Sequence, residues 1–488
     1  MSTSTTTPAG VLESLPGQLL IGGQWRDGRG GAFDVIDPAT GEPLRAVADA
    51  TAEDALAALD AAAAAQRGWA ATPARQRAEV LRRAFALMHD RAEALALLAT
   101  LEMGKPLAES RAEVAYAAEF FRWFSEEAPR VDGGFRPTPE GTHHILVMRQ
   151  PVGPSLLITP WNFPLAMPTR KIAPALAAGC TAVLKPAEQT PLSALAIAQI
   201  LTEAGLPPGV LNVLTTADPE PVGAALLTDP RLRKVSFTGS TPVGSHLLRG
   251  AADRVLRVSL ELGGNAPFIV FDDADLSAAV DGAMAAKMRN IGEACTAANR
   301  FFVAESIAEP FTRMLAERMA TLAIGPGSDP RSQVGPLIDA AGRDKVAGLV
   351  DDARAGGATA VLDGGPLPGP GFFFAPTVLT GVAPDARLLR EEIFGPVAPV
   401  LTFRDEDQAV AAANDTEFGL LAYVYTADLR RSLRVVEQLE AGMVGLNQGV
   451  VSNAAAPFGG IKLSGLGREG GREGIGEFLE TKYVGIAR

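Results

Sequence analysis

From Pro151 onward the chain repeats one pattern: a short apolar run, a turn at Gly or Pro, then a stretch with helical spacing. The runs are Ser155 to Thr159, Thr181 to Leu184, Val210 to Leu214, Lys234 to Phe237 and Arg257 to Leu260. Strands joined through helices make β-α-β units, so the pattern predicts a parallel sheet. Ligands of such a sheet gather at the carboxyl ends of its strands. A second α/β region begins after Gly264, with Phe268 to Phe271 and Arg300 to Val303 as strands and Ile307 to Ala323 as a helix, and continues to about Asn447.

Ahead of the first sheet, helical spacing marks Thr51 to Gln66, Ala74 to Leu101 and Pro106 to Glu127; in the second of these Leu81, Phe85 and Met88 share a face. Thr51 with Asp54 resembles a capping box. Thr142 to Arg149, between Pro-rich flanks, and Glu480 to Ile486 predict a small protruding sheet used in subunit contact. With 488 residues the chain exceeds one ordinary core, which predicts two or three domains.

A net charge of -12 opposes polyanions and offers no basic stripe, which argues against nucleic acid as a partner. Apolar runs such as Val152 to Ile158 fall far short of the roughly 20 residues needed to cross a bilayer. Met1 to Gly10 has neither a basic start nor an apolar signal core and reads as a frayed tail. Two cysteines, Cys180 and Cys295, cannot build a disulfide framework, so a reducing, cytoplasmic setting is expected.

Some features mislead. The G-x-G-x-x-G at Gly465, Gly467 and Gly470 has no strand leading into it and too little chain after it for a dinucleotide fold, so it reads as a structural turn. His89, His143, His144 and His246 form no metal-binding spacing, and no metal is expected. Cys180 beside an apolar run reads as a small buried hydrophobe.

Cys295 differs, because it sits among small residues in N-I-G-E-A-C-T-A-A-N-R and other segments supply the parts a covalent mechanism lacks. These are P-W-N-F-P at Pro160 to Pro164, K-P-A-E at Lys185 to Glu188, F-T-G-S-T at Phe237 to Thr241, E-L-G-G at Glu261 to Gly264, E-E-I-F-G-P at Glu391 to Pro396 and P-F-G-G at Pro457 to Gly460. In this order they resemble the aldehyde dehydrogenase superfamily across essentially the whole chain after the tail.

The resemblance implies an aldehyde dehydrogenase-like α/β fold: two Rossmann-type parallel-sheet domains plus a small β extension for oligomerisation. Residues 1–130 and 151–262 would form a discontinuous NAD-binding domain, and 263–447 the domain carrying the nucleophile. Residues 131–150 and 471–488 would supply the oligomerisation strands of a homodimer or homotetramer, and 448–470 would return to line the substrate site.

It also implies roles. Cys295 would attack the aldehyde, Asn162 and the Cys295 backbone N–H would receive the oxyanion, and Glu261 would activate the water that hydrolyses the thioester left by hydride transfer. Lys185, Glu188, Trp161, Gly239, Ser240, Glu392 and Phe394 would hold the cofactor. A carboxylate at Glu188 accepts from both ribose hydroxyls and repels a 2′-phosphate, which favours NAD over NADP.

Within the superfamily the chain looks closest to succinate-semialdehyde dehydrogenases, on W-F-S-E-E-A at Trp123 to Ala128, I-T-P-W-N-F-P-L-A-M-P-T-R-K at Ile158 to Lys171 and the run Pro457 to Gly470. Arg170, Arg289 and Ser452 match positions that hold the distal carboxylate there, a task suited to guanidinium groups. Such a clamp measures length poorly, so glutarate or 2-oxoglutarate semialdehyde stay open as substrates. A CoA-acylating enzyme, opposed by Glu261, and a non-enzymatic relative, opposed by the joint presence of Asn162, Glu261 and Cys295, are the rival classes. Two positions depart from relatives: Ala297, where some carry a second cysteine, and Glu293, commonly Gln, whose negative charge is expected to raise the Cys295 pKa.

Overall fold

The computed structural model describes residues 7–488. Five strands form the heart of the first sheet, in the spatial order Leu211–Val213, Ala182–Lys185, Ser155–Ile158, Lys234–Thr238 and Arg257–Glu261, all parallel. Each lies within one residue of the bounds read from the sequence. Leu156, Val183 and Val235 are neighbours across this sheet and are buried, as strands covered by helices on both faces require.

The edges are antiparallel, which the apolar runs did not foretell. A hairpin of Leu19–Ile21 and Gln24–Arg26 closes one side through Leu20 opposite Val213. On the other side Gly465–Leu466 pairs with Leu260 and Glu261. A β-carbon on Gly465 would sit 1.9 Å from the Leu260 carbonyl oxygen, so glycine is what lets the returning backbone lie this close.

The second sheet has seven strands in the order Thr359–Leu362, Thr377–Thr380, Val397–Phe403, Ala298–Ala304, Ala266–Val270, Leu421–Tyr425 and Met443–Leu446. Only the first pair is antiparallel. Phe268, Phe301 and Phe311, the last on the helix Ala308–Ala320, pack its core.

Thr51 caps the helix Ala52–Ala71, and the Asp54 carboxylate accepts from the Thr51 backbone N–H in return at 3.1 Å. The single helix expected over Ala74 to Leu101 is two, Ala74–Asp90 and Ala92–Met103, with Arg91 at φ −111° and ψ 17° between them. The second is buried on every side from Leu95 to Met103 whereas the first keeps a face to solvent, and the bend fits each to its surroundings. No Gly or Pro marks that bend in the sequence. The helix expected over Pro106 to Glu127 runs Leu107–Glu127.

Of the segment read as a frayed tail, residues 1–6 lie outside the described residues, and Pro8–Glu13 is a helix that Thr7 caps by accepting from the Gly10 N–H at 3.2 Å. His143–Pro151 and Leu479–Ala487 pair antiparallel along their whole length, and Gly134–Pro137 adds a third strand. Among the described residues no helix is long and apolar enough to cross a membrane.

Candidate active site

The strand Ser155–Ile158 ends in the loop that carries Trp161 and Asn162 into the helix Ala166–Ala178. The Asn162 backbone carbonyl accepts from Lys105 Nζ at 2.7 Å and from Asn290 Nδ2 at 3.1 Å. Its side-chain Nδ2 donates to the Glu293 carbonyl at 3.0 Å. Lys105 is wholly buried and paired with Glu113 at 2.6 Å, and Glu113 also accepts the backbone N–H of Leu165 and Ala166. This ion pair therefore pins the helix start that presents Asn162.

Cys295 lies between a 3₁₀ turn at Arg289–Gly292 and the strand Ala298–Ala304. Asn290 and Ile291 in that turn have φ of 53° and 61°, a left-handed conformation that non-glycine residues seldom adopt and that functional sites often store. Beneath it runs the E-L-G-G turn: a β-carbon on Gly264 would stand 2.5 Å from the Cys295 carbonyl oxygen. Burial, followed by the Glu392 charge, pushes the Cys295 thiol up to about 12.

A cavity of about 250 Å³ gathers most of the expected site. Cys295, Asn162, Trp161, Gly239, Ser240, Glu392 and Phe394 line it together with Arg170, Arg289 and Ser452. Arg289 Nη1 donates to Ser452 Oγ at 3.2 Å, and its guanidinium lies 4.9 Å from the Phe163 ring centre. Arg170 is buried, lies 4.1 Å from the Phe458 ring centre, and has an Nε with no hydrogen-bond partner. Two cations thus face the same space as the thiol, among aromatic side chains.

Glu261 closes its strand but does not line the cavity. Its carboxyl lies next to Gly459, with Oε2 buried and unpartnered. Burial and then the Glu469 charge raise its pKa well above the carboxylate range. Behind it Lys171 Nζ donates to Glu469 at 2.5 Å and to Ser236 at 3.1 Å. The expected action of a Glu293 charge on Cys295 does not emerge: its Oε1 accepts the Ile338 N–H at 3.1 Å, and burial raises its own pKa well above the usual carboxylate value. The carboxylates that act on Cys295 are Glu392 and Glu261 instead.

A second space, about 630 Å³, adjoins the first at Trp161, Thr238, Gly239 and Ser240 and is also lined by Lys185 and Glu188. Lys185 Nζ and Glu188 Oε2 are 3.1 Å apart. Ser240 stands at the start of the helix Thr241–Ala252 with its side chain uncommitted to capping, where helix N–H groups favour an anion. Buried oxygens of Thr159, Gln189 and Thr238 there lack partners, so a polar ligand would satisfy atoms the protein leaves open. Phe394, at φ 57°, meets Trp161 edge to face with ring centres 5.3 Å apart. Glu392 Oε1 accepts from the Gly264 N–H at 3.1 Å, and burial lifts its pKa to about 7.

Residues 25–484 match the model of the aldehyde dehydrogenase family. The chain belongs to that family. A Paenarthrobacter nicotinovorans protein named succinate-semialdehyde dehydrogenase is 62% identical over 444 residues, 91% of this chain and 99% of the relative. A glutarate-semialdehyde dehydrogenase of Pseudomonas aeruginosa is 50% identical over 96% of this chain and 97% of its own length. The crystal structure of an E. coli NADP-dependent enzyme superposes with a TM-score of 0.95 at 50% identity, covering 97% of this chain and 98% of that one. The aldehyde dehydrogenase fold expected from the motifs is the fold of this chain.

Motif reading in this aldehyde dehydrogenase left out several groups that the cavity and its walls contain. Tyr116 and Phe458 line the cavity, and Lys105, Glu113 and Asn290 hold Asn162 from outside it. Phe458 stood in the P-F-G-G motif without a role. Lys105 and Tyr116 carried no local signal, since a long-range contact alone gives them meaning.

Proposed function

We propose that this chain is an NAD-dependent succinate-semialdehyde dehydrogenase, oxidising the aldehyde to succinate. One observation carries the reading: Arg170 and Arg289 face the cavity that Cys295 lines, which suits a substrate with an aldehyde at one end and a carboxylate at the other. The 62% identical relative named for that activity supports it.

In this scheme the two guanidinium groups and Ser452 hold the distal carboxylate and direct the aldehyde carbon to the sulfur. Cys295 adds to that carbon, and its raised pKa means that the proton must be taken as the bond forms. The Asn162 amide and the Cys295 backbone N–H receive the new oxyanion. NAD, held by Lys185, Glu188, Ser240, Glu392 and the Trp161–Phe394 pair, supplies the hydride acceptor. Glu261, near enough for its charge to act on the thiol and with a raised affinity for protons, takes the proton of the water that releases the acid.

Glu188 in the nucleotide cleft favours NAD, since its charge opposes a 2′-phosphate; the E. coli neighbour, by contrast, is an NADP-dependent enzyme. Self-association would use the edge strand Leu479–Ala487, whose Tyr483 is 58% exposed, and Phe135, 66% exposed, on the same small sheet. A reducing compartment suits the two unpaired cysteines. A second reading, glutarate semialdehyde, is favoured by the 50% identical relative of that name.

The test is kcat/KM for succinate semialdehyde, glutarate semialdehyde and neutral butyraldehyde, measured with NAD and without CoA. Preference for the two acids, with the C4 compound ahead, is expected. Equal values for charged and neutral aldehydes would remove Arg170 and Arg289 from the scheme, and strict dependence on CoA would replace water as the acyl acceptor.

A further inference from the structure

Arg170 has a companion at its end of the cavity. Its Nη2 donates to the Tyr116 hydroxyl at 2.6 Å, and Tyr116, on the helix Leu107–Glu127, lines the same space. A phenol oxygen that accepts from a guanidinium still has one hydrogen to give, and no described residue takes it. The ring is seated edge to face against Phe120, with centres 4.9 Å apart at 64°, so the hydroxyl is held in place.

The guanidinium beside it is also short of acceptors. Arg170 Nε is buried without a partner, and the Glu469 carboxylate is 3.7 Å from Nη1, too far for a good hydrogen bond. An unspent O–H and unspent N–H groups on adjoining atoms suit the two oxygens of one carboxylate, each taking a donor. Phe458 and Met167, which also line the cavity, offer carbon surface and no acceptor.

We propose that Tyr116 is a specificity-determining residue whose hydroxyl, oriented by Arg170, donates a hydrogen bond to the distal carboxylate of the substrate. The inference rests on the semialdehyde reading given above and adds to it a neutral donor outside the expected clamp of Arg170, Arg289 and Ser452. A neutral aldehyde leaves this donor facing carbon, so the site rejects it by more than the loss of charge attraction.

Tyr116→Phe keeps the ring against Phe120 and removes only the hydroxyl. The ratio of kcat/KM for succinate semialdehyde to that for butyraldehyde is expected to fall at least about tenfold, the size of one hydrogen bond to a charged group. Should the wild-type enzyme show no preference, the semialdehyde reading and this inference fall together. A wild-type preference that survives intact in Tyr116→Phe overturns the inference alone. In an Arg170→Met background, where no guanidinium remains to be positioned, the same change is expected to lower the ratio again. No further loss there would make the hydroxyl a mere prop for Arg170 and overturn the direct contact.

Discussion

The side-chain amide of Asn162 donates to the backbone carbonyl of Glu293, 3.0 Å away and two residues before Cys295. The donor of the proposed oxyanion site and the segment carrying the proposed nucleophile are therefore tied to each other, although they adjoin different sheets. Asn162→Ala should lower kcat by roughly 100- to 1,000-fold, the usual cost of one such donor. Its backbone stays held by Lys105 and Asn290, so the melting temperature should move little. Steady-state kinetics and thermal melts on the same sample check both halves; a kcat within a few-fold of wild type would show that the amide does not meet the oxyanion.

The Cys295 thiol also makes a prediction about pH. A free thiol near 9 stops gaining reactivity above that pH, but one pushed up to about 12 keeps gaining. Without cofactor, alkylation of Cys295 by iodoacetamide should quicken about tenfold per pH unit from about pH 7 to about pH 10 without levelling. Labelling followed by mass spectrometry reads this directly. A plateau below pH 9 would mean that Arg170 and Arg289 outweigh burial at the sulfur.

Glu188 should read the ribose. Replacing it with Ser removes the charge that opposes a 2′-phosphate while keeping a hydroxyl for the ribose, so the NADP to NAD ratio of kcat/KM should rise by at least about tenfold. An unchanged ratio would free this carboxylate of the role.

The Lys105–Glu113 pair is fully buried, and such pairs matter most when half of one is removed. Lys105→Met leaves the Glu113 carboxylate without its cation and should destabilise the fold by about 3–5 kcal/mol. Urea unfolding measures it. The double variant Lys105→Met with Glu113→Leu should recover part of that loss, and failure to recover any would point to the backbone N–H bonds of Leu165 and Ala166 as the larger contribution.

Much of this was legible in the residues. Strand runs such as Lys234–Thr238 carry their length in plain apolar letters, and the motifs led to Cys295, Asn162, Arg170 and Arg289, which the fold brings to one cavity. What stayed hidden depends on surroundings that no local stretch encodes. Glu293 reads as an ordinary surface charge until the fold buries it and raises its pKa. Tyr116 is one more half-buried helix position until Arg170, 54 residues on, meets its hydroxyl. The Glu261 carboxyl lies against Gly459, nearly 200 positions away. Antiparallel edge strands as short as Gly465–Leu466 have too few side chains to announce themselves.

The pairing of Gly465–Leu466 with Leu260 and Glu261 has a mechanical meaning. By that point the chain has already built the second sheet, and it comes back to complete the first before ending on Leu479–Ala487. The polypeptide is stitched shut: the second sheet is an excursion whose two ends are both anchored in strands of the first. Calorimetry should find one cooperative transition, and deleting the last 30 or so residues should loosen both halves at once.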